Sequence, residues 1–429
     1  MSALAEYCLR NGAAVAGYDA VSSTISVSLA SKGALVFHED SAALLPEAFE
    51  DASKTTVVYT PAIPESSLWF QYFKSRGFKM IKRAVLLGAL TADSFCYAVA
   101  GTHGKTTTTA LLAHLLDASG LAITAFLGGV AHNFEGNLLS KGMDTTVVEA
   151  DEFDRSFLQL SPNVACITST DADHLDIYKS AEALEESFVS FSELLPHPST
   201  LFVHEDLQIE GVSYGEKSSS DYYYSGLEMI AGKTYAKLHT PSETFEKVLF
   251  PLPGKHNVLN TLVAFAMAYS QGVPPQLLIK ALAGFKGIAR RFSYELNTDE
   301  RVYIDDYAHH PTAIKAMHNT LREQYPDREI TLVFQPHLYS RTQDFLEEFA
   351  AALSLYDTLY LLDIYPAREL PIPGVHSEVL LQKVRLEQKY LVSKDSLLLQ
   401  LKAKPPEVLI SLGAGDIGKM VPDIKNVLL

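Results

Sequence analysis

Three cysteines in 429 residues, Cys8, Cys96 and Cys166, lie too far apart for a metal-ligand spacing or a disulfide framework. Each sits among apolar neighbours and reads as a small packed hydrophobe, a usage that fits a reducing cytoplasm. Positive charge is also scarce. The 35 Lys and Arg residues against 51 Asp and Glu leave a net charge of -16, which argues against nucleic acid as a partner. A small anionic ligand needs only local positive charge and stays possible. Long apolar runs are missing. Glu6 and Arg10 break the first one, so no secretory leader is expected. The charge-free stretch 258–279 contains Asn260, Ser270, Gln271 and Pro274-Pro275, and reads as a buried helix and turn rather than a membrane span. No internal repeat or low-complexity tail is visible. With 47% apolar and 20% charged residues the chain is globular, and its length predicts two or three domains.

One stretch organises the rest: a strand over Tyr97–Ala100, then Gly101-Thr102-His103-Gly104-Lys105-Thr106-Thr107, then an apolar helix. A glycine turn between strand and helix aims backbone N–H groups at one point, where the helix dipole also favours negative charge. Lys105 adds a cation, and the Thr106 hydroxyl can reach a metal. The leading glycine of the usual Walker pattern is absent, because Val99 stands there. A turn that merely needs glycine is the alternative reading. Lys105 itself, at a turn end, is expected to be exposed when no nucleotide is bound.

Residues 1–91 alternate helix and strand, with strands predicted over 14–18, 34–37, 56–59 and 79–81. In residues 92–292, strands over 145–148 and 164–168 end in Glu149-Ala-Asp151-Glu152-Phe-Asp154 and in Asp171-Ala-Asp173-His174-Leu-Asp176. Carboxyl ends of parallel strands share one edge, where ligands bind. Thr106 and Glu149 are the natural first pair for Mg²⁺, which prefers oxygen ligands. His174 could hold a second metal position or bond a phosphate; a structural histidine is its bland alternative. Which of the four acids 149–154 matter is left open. Residues 199–250 read as short strands and turns without catalytic signals, and a long helix opens near Lys255-His256-Asn257.

Residues 293–429 predict a second parallel sheet, with strands over 302–305, 330–335, 358–364 and 408–412 and a boundary joint near Gly287 and Asn297. Arg290-Arg291 is either a solvated basic pair or a guanidinium fork on a transferring phosphate. Asp305-Asp306-Tyr-Ala-His309-His310-Pro311 suits an N-capping turn or half of a substrate cleft, and Phe334-Gln-Pro-His337-Leu338-Tyr-Ser-Arg341 repeats that layout. Gly413-Ala-Gly415-Asp-Ile-Gly418 matches the dinucleotide glycine pattern, but too little chain follows for the acid that pattern needs. It reads as a close strand-to-helix turn.

Taken together, 101–109, 149–154, 173–176, Pro253-Gly-Lys-His-Asn-Val-Leu-Asn260, Arg290-Arg-Phe292, 305–312 and 334–337 resemble the Mur ligase family of bacterial cell-wall synthesis, in family order along almost the whole chain. The resemblance implies an α/β protein of three domains, each with a mainly parallel sheet: a truncated Rossmann-like UDP-substrate domain (1–91), a P-loop ATPase domain (92–292) and a Rossmann-like amino-acid-binding domain (293–429). It implies ATP-driven amide formation with Mg²⁺, and UDP-N-acetylmuramate and L-alanine as small-molecule substrates. A cytoplasmic monomer or weak homodimer is expected.

By the same resemblance Gly101 to Thr107, with Lys105 at the centre, would grip the phosphates. Thr106 would bind one Mg²⁺, and Glu149 and His174 a second. His256, Asn257 and Asn260 would lie by the adenine, Arg291 by the γ-phosphate and Asp306 by the ribose. His310, His337 and Arg341 would face the amino acid. Two departures stand out. The family opens with a strand and a glycine-rich turn ending in Met-Ser, and here Met1-Ser2 is where the chain begins, so a misplaced start is expected. Leu338 stands where the family often has arginine, and Arg368 could supply that contact. Open alternatives are a ligase for a recycled tripeptide, a P-loop kinase or NTPase, and a non-catalytic binding protein.

Overall fold

The computed structural model describes residues 1–172, 175–178, 180–367 and 369–429, without the side chains of Leu175 and Asp176. The chain forms two compact units. The first takes residues 1–225, 237–246 and 260–285; the second takes 226–236, 247–259 and 286–429.

The first unit opens with the helix Ser2–Arg10 and two parallel strand pairs, Ala16–Tyr18 with Leu35–Phe37 and Thr56–Tyr59 with Lys79–Lys82. Local chemistry sets the helix starts between them. Ser23 and Ser26 cap the helix Thr24–Ser31 reciprocally. Asp40 accepts from the Ser67 hydroxyl and from the N–H groups of Leu68 and Trp69, fixing the helix Leu68–Ser75. Trp69 is buried there against Phe37 and Phe73.

Seven neighbouring strands of the ten-stranded main sheet run Val212–Gly215, Leu201–His204, Val164–Ile167, Phe95–Ala100, Thr145–Glu149, Ile123–Ala131, Gly136–Ser140, and these are parallel except for the last pair. Phe95–Ala100 lies inside it and is buried from Cys96 onward, as a continuous apolar run predicts. Register sets the site: Val99 is level with Glu149, and Ala100 with Ile167. The ends of three neighbouring strands therefore deliver Gly101, Glu149 and Thr168 to one edge.

In the second unit the order is Ser293–Asn297, Val302–Asp306, Val408–Leu412, Ile330–Phe334, Thr358–Leu361, Gln388–Leu391, parallel except for the first pair. Period-two alternation gives this sheet a core on each face: Ile304, Leu332 and Ile410 on one, Tyr303, Val333 and Leu409 on the other. The four predicted strands are present. The two edge strands were not predicted: Ser293–Asn297 falls where a joint was expected, and Gln388–Leu391 is short and mostly exposed. No helix among the described residues is long and apolar enough to cross a membrane.

Candidate active site

The glycine turn is pinned by the loop after the next strand. Thr102 N–H donates to the Ser169 carbonyl (3.0 Å), His103 N–H to the Ser169 hydroxyl (2.9 Å), and the Thr168 hydroxyl to the His103 carbonyl. Gly101 has φ 124°, and a Cβ there would lie 2.8 Å from two backbone nitrogens and closer still to Thr168 Oγ1. Gly104, at φ 83°, caps the helix Lys105–Ala118 in the left-handed region, and a Cβ on it would meet Asn260 Oδ1 at 2.5 Å. The first intrahelical bond is Thr108 N–H to the Gly104 carbonyl (2.9 Å). The N–H groups of Lys105, Thr106 and Thr107 therefore lack an i−4 acceptor and sit at the positive end of the dipole. Four successive threonines are poor helix formers, but all four are buried here: Thr106 donates to Glu149 (2.8 Å) and Thr108 to Asn260 (3.3 Å) across the fold, and Thr109 bonds back to the Lys105 carbonyl of its own helix (2.8 Å).

Lys105 is not the exposed side chain that its position at a turn end predicts. Its side chain is only 13% accessible. The ammonium donates to both carboxylate oxygens of Glu152 (2.7 and 2.9 Å) and to the Gly101 carbonyl (2.6 Å). Burial pulls its pKa down, and the Glu152, Asp151 and Glu149 charges more than offset this, so the amine is held above its ordinary value. The acids of 149–154 sort by partner. Glu149 accepts from Thr106 and from Gly128 N–H (2.8 Å); Asp151 lies 3.5 Å from Arg83, and Asp154 2.7 Å from Lys82. Glu152 is the residue that sequence reasoning did not pick out.

The Thr106 hydroxyl and Glu149 carboxylate form an oxygen pair of the kind that suits Mg²⁺. A Cβ at Gly128 would fill the space beside that carboxylate, 2.3 Å from its Oε2. His174 lies outside the described residues. His103 pairs with Asp171 (3.1 Å), and Asn260 lies against the turn at Gly104 and Thr108.

In the second unit, Arg290 at φ 61° and Phe292 at φ 49° bracket Arg291 in a strained turn. Arg290 donates to Asp305 (2.9 Å) and to the Gly413 carbonyl (2.6 Å), while both arginines lie about 5 Å from the Tyr307 ring. Asp306 is buried and accepts from Phe292 and Ala308 N–H groups, each at 2.7 Å. Burial raises its pKa against the pull of Arg291 and those two donors. His310 caps the helix Pro311–Gln324 and lies edge-on to Phe345; Arg341 is buried near His337, whose ring stacks on Tyr365. Leu338 carries φ 73° and donates its N–H to the Tyr365 carbonyl. Asn257 donates to the Pro253 carbonyl (2.7 Å), and a Cβ at Gly254 would touch the His256 ring. Arg368 lies outside the described residues.

Three family models match in succession: the Mur ligase family catalytic domain over residues 1–95, the Mur ligase middle domain over 99–268, and the Mur ligase glutamate ligase domain over 290–415. The UDP-N-acetylmuramate–L-alanine ligase of Flavobacterium johnsoniae is 47% identical over 428 residues, spanning 100% of this chain and 95% of that protein. The chain belongs to the Mur ligase family. It is therefore a ligase that forms carbon–nitrogen bonds. Among solved Mur ligases, the UDP-N-acetylmuramate-alanine ligase of Thermotoga maritima superposes with a TM-score of 0.83 at 26% identity, covering 100% of this chain and 95% of that one. A murein peptide ligase from Psychrobacter arcticus shares the fold, with a TM-score of 0.71 at 21% identity over 100% of this chain and 96% of its own.

Proposed function

We propose that this ligase joins L-alanine to the carboxylate of UDP-N-acetylmuramate at the expense of ATP, a step in peptidoglycan synthesis. The full-length 47% identity to a relative of that name carries the reading. A carboxylate is a poor electrophile and must be activated. Its oxygen takes the γ-phosphoryl group of ATP, and ADP leaves. The alanine amine then attacks the acyl carbon, the carbon–oxygen bond to phosphate breaks, and the amine gives up its extra proton to solvent. Mg²⁺, bound at the Thr106–Glu149 oxygen pair, would neutralise phosphate charge.

The chain's own part is positioning and charge. The first-turn N–H groups of Lys105 to Thr107 hold phosphate oxygens between Gly101 and Gly104, and Lys105 balances the charge that develops during transfer. Thr102 and His103 shape the turn. His174 is assigned to a second metal position with Glu149. We assign Arg291 to the transferring phosphate, Asp306 to the ribose, His256, Asn257 and Asn260 to the base side, and His310, His337 and Arg341 to the amino acid. Segments 1–91, 92–292 and 293–429 serve the UDP-sugar, ATP and amino acid in that order. A cytoplasmic enzyme, monomeric or weakly dimeric, that supports cell shape and division fits this role.

The deciding assay supplies UDP-N-acetylmuramate, ATP and Mg²⁺ with a panel of amino acids and with the tripeptide, and reads ADP and product mass. An alanine adduct is expected. Turnover only with tripeptide would reassign the acceptor, and ADP release without any amide product would point to a P-loop kinase or NTPase.

A further inference from the structure

The Lys105–Glu152 pair has no counterpart in the roles assigned above. Glu152 is 1% exposed, and its two carboxylate oxygens both face the Lys105 ammonium. Its backbone is held as firmly. The Glu152 carbonyl accepts from the Tyr178 hydroxyl at 2.5 Å and from Arg155 N–H at 2.9 Å. Asp154 and Arg155, at φ 55° and 52°, fold the chain sharply just after it. Strain at two consecutive non-glycine residues costs about 1–3 kcal/mol each and persists only where the surroundings fix it. A buried carboxylate this constrained is a fixed post, whereas a lysine on four methylenes is not.

We propose that Glu152 is a positioning residue for phosphoryl transfer: it anchors the Lys105 ammonium at the mouth of the glycine turn. This rests on the assignment of Lys105 to the phosphates. An ammonium has three protons to donate. One goes to the Gly101 carbonyl, and a second, shared between the two carboxylate oxygens of Glu152, fixes the side-chain direction. The weak contact to the Thr102 carbonyl, at 3.4 Å, is the one a phosphate oxygen displaces. Glu152 therefore aims the charge while taking part of it away from the ground-state nucleotide. The device favours transfer over tight ATP binding.

The test is a double-mutant cycle on the full-length enzyme with Lys105→Met, Glu152→Gln and both together. Three quantities are read: kcat and KM for ATP, calorimetric affinity for a non-hydrolysable ATP analogue, and urea stability. Glu152→Gln is expected to lower kcat about tenfold with no rise in KM for ATP, the pattern of an interaction used in the transition state. In the Lys105→Met background the same change is expected to do nothing further to analogue affinity, and to restore stability by removing the stranded carboxylate. Additive losses in affinity, or a raised KM with unchanged kcat, overturn the role of Glu152 and leave Lys105 on the phosphates. If Lys105→Met alone binds the analogue as tightly as wild type, the phosphate role of Lys105 falls and that of Glu152 falls with it. Should Glu152→Gln not fold alone, the double variant, which carries no buried charge at this point, still reports. Stability no better than that of Lys105→Met then overturns the pairing.

Discussion

Two glycine-rich turns follow buried strands in this molecule, and they do different things. Gly101 to Gly104 opens a helix of 14 residues, with Lys105 paired to an acid beside it. Gly413 to Gly418 follows the strand Val408–Leu412 and leads into a five-residue 3-10 turn, Asp416–Met420, that runs directly into the helix Val421–Leu428. Protein groups bond the backbone of both turns, but in the second they also take up a helical N–H. The Gly413 carbonyl accepts from Arg290, and Ile417 N–H donates to Gln335 Oε1 (2.9 Å). A Cβ at Gly415 would strike Gln335 and Tyr365, and one at Gly418 would strike Arg290. These glycines let side chains pack against the backbone. Glycine spacing alone does not separate the proposed phosphate grip from a packing turn; whether protein atoms already bond the first helical N–H groups does.

The largest effect should come from Lys105→Met. The change removes a cation from the proposed transfer step and strands Glu152 in the interior. Turnover should fall by roughly a thousandfold or more, and stability by about 3 kcal/mol. An ADP-release assay and urea denaturation read the two separately. Loss of activity at unchanged stability would mean that Glu152 relaxes into water and that the pair is not a fixed element.

Alanine scanning of the glycines sharpens the contrast. Gly104→Ala forces a Cβ against Asn260 at positive φ. It should cost about 2 kcal/mol and weaken nucleotide binding at least about tenfold. Gly413→Ala, at φ 148° with the Gln335 carbonyl 2.8 Å from the new Cβ, should cost a similar amount of stability and leave nucleotide affinity within about twofold. Equal losses of affinity at both would erase the distinction. A smaller effect is expected for Glu149→Gln, which keeps the Thr106 contact but removes charge. The Mg²⁺ concentration for half-maximal activity should rise about tenfold, and an unchanged Mg²⁺ titration would return Glu149 to a structural role.

The same contrast explains what the sequence could and could not convey. The strand Phe95–Ala100 is a continuous apolar run buried from Cys96 onward, and Ile330–Phe334 is a fully buried run broken only by Thr331, so their placement followed from pattern alone. The glycine, lysine and threonine run between strand and helix was equally legible, and the close turn expected after the strand at Gly413 to Gly418 is present. Which acid meets Lys105 was not legible. Glu149, Asp151, Glu152 and Asp154 have the same chemistry, and the choice depends on the left-handed Asp154 and Arg155, which no local pattern announces. The exposure expected of Lys105 failed for the same reason: its partner is 47 residues away in sequence.

The last test probes the packing turn through protons. Burial pushes the Asp416 carboxyl up, but hydrogen bonds from Lys394 and Gln335, with the Lys394 and Lys419 charges, outweigh it and hold the pKa below the ordinary carboxylate value. A depressed carboxylate stabilises the fold above its unfolded pKa of about 3.9, and that contribution is lost as pH falls through the lower folded value. Asp416→Asn should therefore remove a small part of the stability at neutral pH, at most about 1 kcal/mol because the pair is partly exposed. It should also flatten the acid limb of stability below about pH 4, with nucleotide affinity unchanged. If nucleotide binding weakens instead, the second turn is coupled to the nucleotide and its glycines do more than admit packing.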